Sequence, residues 1–220
     1  MNKDFDEMKE RVEMLFDQEM YVDAFKLFIK LHILNPDDKQ IVFKIMHSWQ
    51  MIENDKINFA PKTAEEYLGR GLALSWNGKL NEAMRDINKA LTLNPNYDFA
   101  YKSKGMCLFY FKKFQEAIYE INHAIRINPL GDYYEKVAIC YEGLNKNEEA
   151  LEFYNKAITA SPDNNVLWNS FGVFLSDKME DETGALEKFE KALELMPSFS
   201  DAEVNRDSIL TDRKENDPKP

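Results

Sequence analysis

Apolar residues in this chain recur at steps of three and four, and the pattern is written several times over. EAMRDINKALTLNP at 82–95 returns as EAIYEINHAIRINP at 116–129, as EALEFYNKAITASP at 149–162 and as GALEKFEKALELMP at 184–197. A more distant echo, DAFKLFIKLHILNP, occupies 23–36. Within each block a small residue, a larger apolar one and a second small residue hold fixed places: Ala83, Ile87 and Ala90, then Ala117, Ile121 and Ala124. Those steps lie on one face of an α-helix. Alanine there admits a neighbouring helix, and the larger residue fills the space beside it. Pro95, Pro129, Pro162 and Pro197 cannot continue the helix and end each unit.

Upstream of each block lies a second apolar stretch centred on a small residue: Gly71, Gly105 and Ala138. Each has an aromatic four residues before it (Tyr67, Tyr101, Tyr134) and an apolar residue three after it (Leu74, Leu108, Tyr141). These offsets also trace one helical face, so each unit is two antiparallel helices joined by a short turn. Asn77-Gly78 is such a turn, with glycine suited to a left-handed cap. The pattern predicts helices over 5–17, 22–34, 39–53, 64–76, 81–93, 98–111, 115–127, 131–143, 148–160, 165–177, 184–195 and 200–210. The proline markers are 34, 33 and 35 residues apart. Such a period signals a helical solenoid, in which stacked units bury one another's apolar faces.

This spacing resembles the tetratricopeptide repeat family. Four units match over about 64–197, with Trp168 and Gly172 standing closest to the family's aromatic-glycine signature. The fourth carries one inserted residue in its turn, around Asp181–Thr183. A fifth, over 5–38, keeps Ala24, Phe28 and Pro36 but has Val12 where the family prefers glycine and Leu31 where it prefers alanine. The resemblance implies an all-α, right-handed superhelical solenoid of antiparallel helix pairs. It is organised as a degenerate pair plus an extra helix and linker over 1–62, four tandem repeats over 63–198, and a capping helix with a tail over 199–220.

The period breaks between Pro36 and Pro95. Residues 39–53 read as a helix with Ile41, Val42, Ile45, Met46 and Trp49 on one face and Asp37 and Gln40 as start signals, but its partner helix is missing. It is either an unpaired helix in the stack or part of a subunit docked at an angle. Thr63 and Glu66 then open the next helix as a capping box. At the other end 200–210 is a polar lid, and 213–220 reads as a frayed tail.

The resemblance also implies function. In this family the first helix of each pair lines a concave wall that takes a peptide segment or a partner helix. Helical phase places Leu68, Leu72 and Trp76 on that stripe in the first unit, and Lys102, Met106, Phe109 and Tyr110 in the second. The third contributes Glu135, Ile139 and Glu142, and the fourth Asn169, Val173 and Ser176. The candidate peptide-binding residues are thus Leu68, Leu72, Trp76, Lys102, Met106, Phe109, Tyr110, Ile139 and Asn169. GMCLFYF at 105–111 is apolar nearly all round, which fits core packing as well as a groove. If it is a groove, Trp76, Phe109 and Tyr110 are anchor types. One subclass of the family clamps chaperone C-termini with Lys three residues before the glycine and Asn directly after it. Leu68 and Leu72, then Lys102 and Met106, stand in those places, and Ser103 or Lys136 where another Asn is required. Only Lys102 fits, which argues against a chaperone-tail receptor.

Composition narrows the remaining classes. Of 220 residues 44% are hydrophobic, with 8 Gly and 8 Pro, ample for a core and too few breakers for a β-rich fold. The N-terminus MNKDFDEMKER has no apolar run of a signal peptide, and no stretch of about 18 apolar residues spans a membrane. A net charge of −11 spread over many helices repels nucleic acid and gives a solvated surface. Cys107 and Cys140 fall at equivalent places in adjacent units, which favours buried packing residues over a disulfide or metal pair and suits a reducing cytoplasm. His32, His47 and His123 are far apart and near no cysteine or paired acid at ligand spacing. No catalytic constellation, metal site or cofactor motif is present, so the expectation is a non-enzymatic, cytoplasmic interaction module. The alternative is a self-associating scaffold, a homodimer through the solenoid ends or the unpaired 39–53 helix.

Overall fold

A computed structural model describes residues 3–34, 39–57 and 59–216. Among them are twelve helices and no strand: α1 (Lys3–Asp17), α2 (Tyr21–Leu34), α3 (Lys39–Asn54), α4 (Ala64–Trp76), α5 (Leu80–Leu93), α6 (Asp98–Tyr110), α7 (Phe114–Ile127), α8 (Gly131–Gly143), α9 (Asn147–Ala160), α10 (Asn165–Met179), α11 (Glu182–Leu195) and α12 (Ser200–Asn216). Eleven of the expected helices lie within two residues of these bounds. The fold is an all-α helical-repeat solenoid. It divides into two compact units, Met1–Phe111 and Lys112–Pro220, so the cut falls between α6 and α7.

The seam of each pair is built from the small residues that the pattern singled out. Ala83, Ala90, Ala117, Ala124, Ala150, Ala185 and Ala192 are fully buried, as are Ile87 and Ile121. In α4 a Cβ on Gly71 would stand 3.0 Å from Ile87 Cγ1 and 3.3 Å from the Ala83 carbonyl. In α10 a Cβ on Gly172 would meet the Phe189 ring at 2.5–3.0 Å. A side chain at either place pushes the second helix off the first, which is why the position is small.

In the first unit α4 is covered on three sides. Gly71 and Leu74 face α5, and Leu68 joins Ala64, Ala100 and Cys107 in the core shared with α5 and α6. Ala73 belongs instead to the N-terminal core, and a Cβ on Gly69 would clash with Ile29 and crowd Phe25 of α2. The N-terminal core also takes in Ile41, Ile45, Met46, Trp49 and Ile52 of α3. Helix 39–54 is therefore not unpaired. Its apolar face packs on α2, and its end is tied to the α4–α5 turn by Lys79–Glu53 at 3.1 Å. The expected self-association through that face loses its basis, because the face is inside. Asp37, read as a start signal, and the Pro36 marker lie outside the described residues.

The capping box at Thr63 forms with a shift. Thr63 Oγ1 accepts from the Glu66 N–H at 3.2 Å, while Glu66 Oε2 accepts from the N–H of Lys62, one residue earlier than the motif requires. Glu66 also pairs with Lys26 of α2 at 3.3 Å. Burial by itself would raise its carboxyl, but the Lys62 N–H and the Lys26 ammonium win and hold it below the usual range.

Gly78 is left-handed as expected, at φ 74°. Glu19, Lys56, Lys112, Asn145 and Glu180 take the same conformation after α1, α3, α6, α8 and α10, although none is glycine. Geometry at this point is set by the turn, and the residue yields.

In the second unit the inserted residue of the fourth repeat is absorbed by α10, which has 15 residues where α8 has 13. The C-terminal lid is longer than the pattern indicates: α12 buries Ala202 and Ile209 and continues to Asn216. Arg213 explains the extension, donating to Glu182 at 2.8 Å and Thr183 at 3.2 Å, so the expected tail at 213–216 is helix. Residues 217–220 lie outside the described residues.

Candidate peptide-binding surface

Helix α4 packs against α2, α3, α5 and α6, which leaves only part of the expected binding strip in water. Leu68, expected on that strip, is 2% exposed and belongs to the core. Leu72 is half-buried and Trp76 is 71% exposed. On the neighbouring α6, Met106 and Phe109 are half-buried and Tyr110 is 61% exposed. Phe109 meets Tyr110 edge-on, with centroids 5.8 Å apart. The two first helices approach at Ser75 Oγ and Cys107 Sγ, 3.7 Å apart. Lys102 lays its ammonium 4.3 Å above the Phe99 ring, a cation–π contact that keeps the charge on this side of α6. Leu72, Trp76, Lys102, Met106, Phe109 and Tyr110 thus each keep some or most of their surface in water.

The second unit differs at the same positions. Ile139 is half-buried and packs against the α8–α11 core. Glu135 is 4% exposed and receives Lys136 Nζ at 2.6 Å, with Asp132 at 3.5 Å from the same ammonium. Burial alone would lower the Lys136 ammonium, yet the two carboxylates raise it above its ordinary value. Glu142 accepts from the Tyr154 hydroxyl at 2.6 Å, and its carboxyl is raised, chiefly by burial. Asn169 accepts from Asn205 of α12 at 3.0 Å, so the lid helix already engages it. Ile139 and Asn169 are thus engaged within their own unit, by core packing and by the lid helix.

Sequence reading missed Arg70 and Asp86. Arg70 Nε and Nη2 clasp the two Asp86 oxygens at 2.5 and 2.8 Å, while the guanidinium lies between the Trp49 and Tyr67 rings, 5.7 Å from each. Asp86 is buried, and its carboxylate raises Arg70. The available signal was an acid on the buried face of an otherwise apolar block.

Both cysteines are free thiols and buried. Burial raises each, Cys140 to about 12. No group of His, Cys, Asp and Glu able to hold a metal occurs among the described residues. Among them, too, no helix is long and apolar enough to cross a membrane.

Paired helices with small-residue seams, repeated at a near-constant period, define a helical-repeat protein. Residues 64–97 and 131–164 each match a tetratricopeptide repeat model, and these two matches support assigning the chain to that family. A thermophilic TPR protein of Thermus thermophilus superposes on 94% of this chain and 99% of its own, with TM-score 0.60 and 16% identity. MamA covers 74% of this chain and 92% of its own, with TM-score 0.53 and 24% identity. At these identities the likeness is one of fold. Protein FlbA of Caulobacter vibrioides is 37% identical over 70 residues, which is 32% of this chain and 12% of FlbA. Repeats of this family support a protein–protein interaction or scaffold role.

Proposed function

We propose that the chain is a non-enzymatic, cytoplasmic adaptor that binds a peptide segment or partner helix along the exposed first-helix strip of Met1–Phe111. One observation carries this reading. Trp76 and Tyr110 hold the same place in successive repeats, 34 residues apart, and both leave most of their surface in water. Neither packs the fold, and large aromatics beside half-buried Leu72, Met106 and Phe109 are what interface anchors consist of. Lys102 favours an acidic residue on the ligand, whereas the overall charge of −11 disfavours a nucleic-acid backbone.

The test is a pull-down with mass spectrometry on wild type, Trp76→Ala and Tyr110→Ala, followed by titration of the recovered segment as a synthetic peptide. The expected result is a partner lost from both variants at unchanged melting temperature, with Trp76 emission shifting to the blue on binding. A partner retained equally by all three proteins overturns the assignment.

A further inference from the structure

The second unit holds a cleft built by α7, α8 and α9, with a volume of about 630 Å³. That is within the ~300–1,000 Å³ typical of ligand sites. One lining position differs from repeat to repeat. Leu93, Ile127 and Leu195 occupy one position near the end of their second helices, and Ala160 stands there in α9. Alanine keeps that position small where it lines the cleft. Three residues after the first seam alanine, where α5 has Asp86, α9 has Phe153, whose ring lies 6.4 Å from Tyr134 and forms an aromatic floor with it. Asn122 and Asn155 line the walls. Asn155 commits its Nδ2 to the Leu151 carbonyl, which leaves the acceptor Oδ1.

The cleft already handles one cation. Lys156 Nζ lies 4.3 Å over the Phe153 ring and donates to Glu152 Oε1 at 2.5 Å. Both side chains of this pair are substantially exposed, so it is exchangeable with solvent. The surrounding unit, Lys112–Pro220, carries 13 basic and 22 acidic residues, net −9, against 15 and 17, net −2, in Met1–Phe111. Aromatic faces, carboxylate and amide acceptors and a negative field all select positive charge. A guanidinium satisfies the set better than an ammonium, since it stacks on rings and bonds a carboxylate with two N–H groups at once.

We propose that this cleft is a receptor for an arginine side chain on a basic partner segment. The guanidinium displaces Lys156 from the Phe153 ring and from Glu152, and its flanking residues lie between Asn122 and Asn155. This inference is independent of the first-helix surface and of what binds there.

The experiment is an NMR titration of the full chain with three blocked pentapeptides that differ only in a central Arg, Lys or Glu. Arg is expected to shift the amides of Asn122, Tyr134, Phe153 and Lys156 first, with several-fold tighter binding than Lys and no saturable response to Glu. Lys156→Gln removes the internal competitor and should tighten Arg binding several-fold. Lys191→Gln, the same charge change at the equivalent place in α11, should not do so. Phe153→Leu keeps an apolar side chain against the core and should abolish the preference for Arg over Lys, with the fold checked by its amide spectrum. Equal tightening by both lysine variants, or shifts scattered over the unit without focus on the cleft, overturns the proposal.

Discussion

Helices α6 and α8 are the same element in successive repeats, yet they carry opposite chemistry. At four matched positions α6 has Lys102, Met106, Phe109 and Tyr110, and α8 has Glu135, Ile139, Glu142 and Gly143. The aromatics of α6 reach water, whereas the acids of α8 are drawn into contacts with Lys136 and Tyr154. The seam residues between these positions hardly differ: Gly105 and Cys107 in one, Ala138 and Cys140 in the other, all buried. The fold fixes one face of each first helix and leaves the other to be written freely. Function is sought on the free face, and the two units have been written for different contacts.

The largest test of this contrast removes the polar clasp found in the first unit alone. Arg70 and Asp86 correspond to Val137 and Phe153 in the second. Asp86→Ala leaves a guanidinium pressed between rings without its partner and should cost about 3 kcal/mol, the low end for breaking a buried pair. Adding Arg70→Met should recover much of that, because it removes the unpaired guanidinium and keeps an apolar side chain beside the Trp49 and Tyr67 rings. Urea midpoints of the single and double variants decide it. A double variant as unstable as the single one breaks the comparison.

The next effect concerns affinity. Trp76→Ala and Tyr110→Ala should each weaken a bound peptide by about 2 kcal/mol and change folding stability by no more than ~0.5 kcal/mol, as exposed residues do. Phe109→Ala, half-buried, should lower both. Ile139→Ala in the second unit should lower stability without touching that affinity. Calorimetric titration beside thermal melts separates the cases.

Smaller still, Cys107→Ala and Cys140→Ala should each cost about 1 kcal/mol, a small cavity within an intact seam. Both native thiols should react slowly with a polar reagent, Cys140 most slowly, since burial lifts it to about 12. Rapid labelling of either would contradict the shared seam.

The finest contrast lies in the sign of pH dependence. Glu66 of the first unit is held below the usual carboxylate range, so its contribution is present above that range and lost as pH falls through the folded value. Glu142 of the second is raised, first by burial and then by Asp177 and Glu135 against the Tyr154 hydroxyl and Lys178. Its contribution is present below the usual range and lost as pH rises through the raised value. Glu66→Gln should flatten the acid limb of the stability profile, and Glu142→Gln should flatten the fall just above it. The same slope change from both would remove the distinction.

Periodicity alone located twelve helices, the left-handed turn at Gly78, the buried seam alanines and the two buried cysteines. Those features repeat, and each repeat is another reading of the same local physics: an alanine spaced for one helical face is buried wherever a second helix meets it. Leu68 and α3 escaped that logic. The groove stripe and the core stripe of α4 look alike along the chain, both being apolar at helical spacing. Only the arrival of α6 over Leu68, and of α2 and α4 over the face of α3, separates inside from outside. The same holds for Arg70 and Asp86, which are ordinary charges until two helices bring them together, and for the cleft lined by α7, α8 and α9. The sequence by itself determined where eleven of the twelve helices begin and end, to within two residues, and which side of each is small, because those are properties of one helix; the end of α12 depended on contacts with α11. Which remaining side meets water was decided by the tertiary structure, because exposure depends on the neighbour that covers a residue.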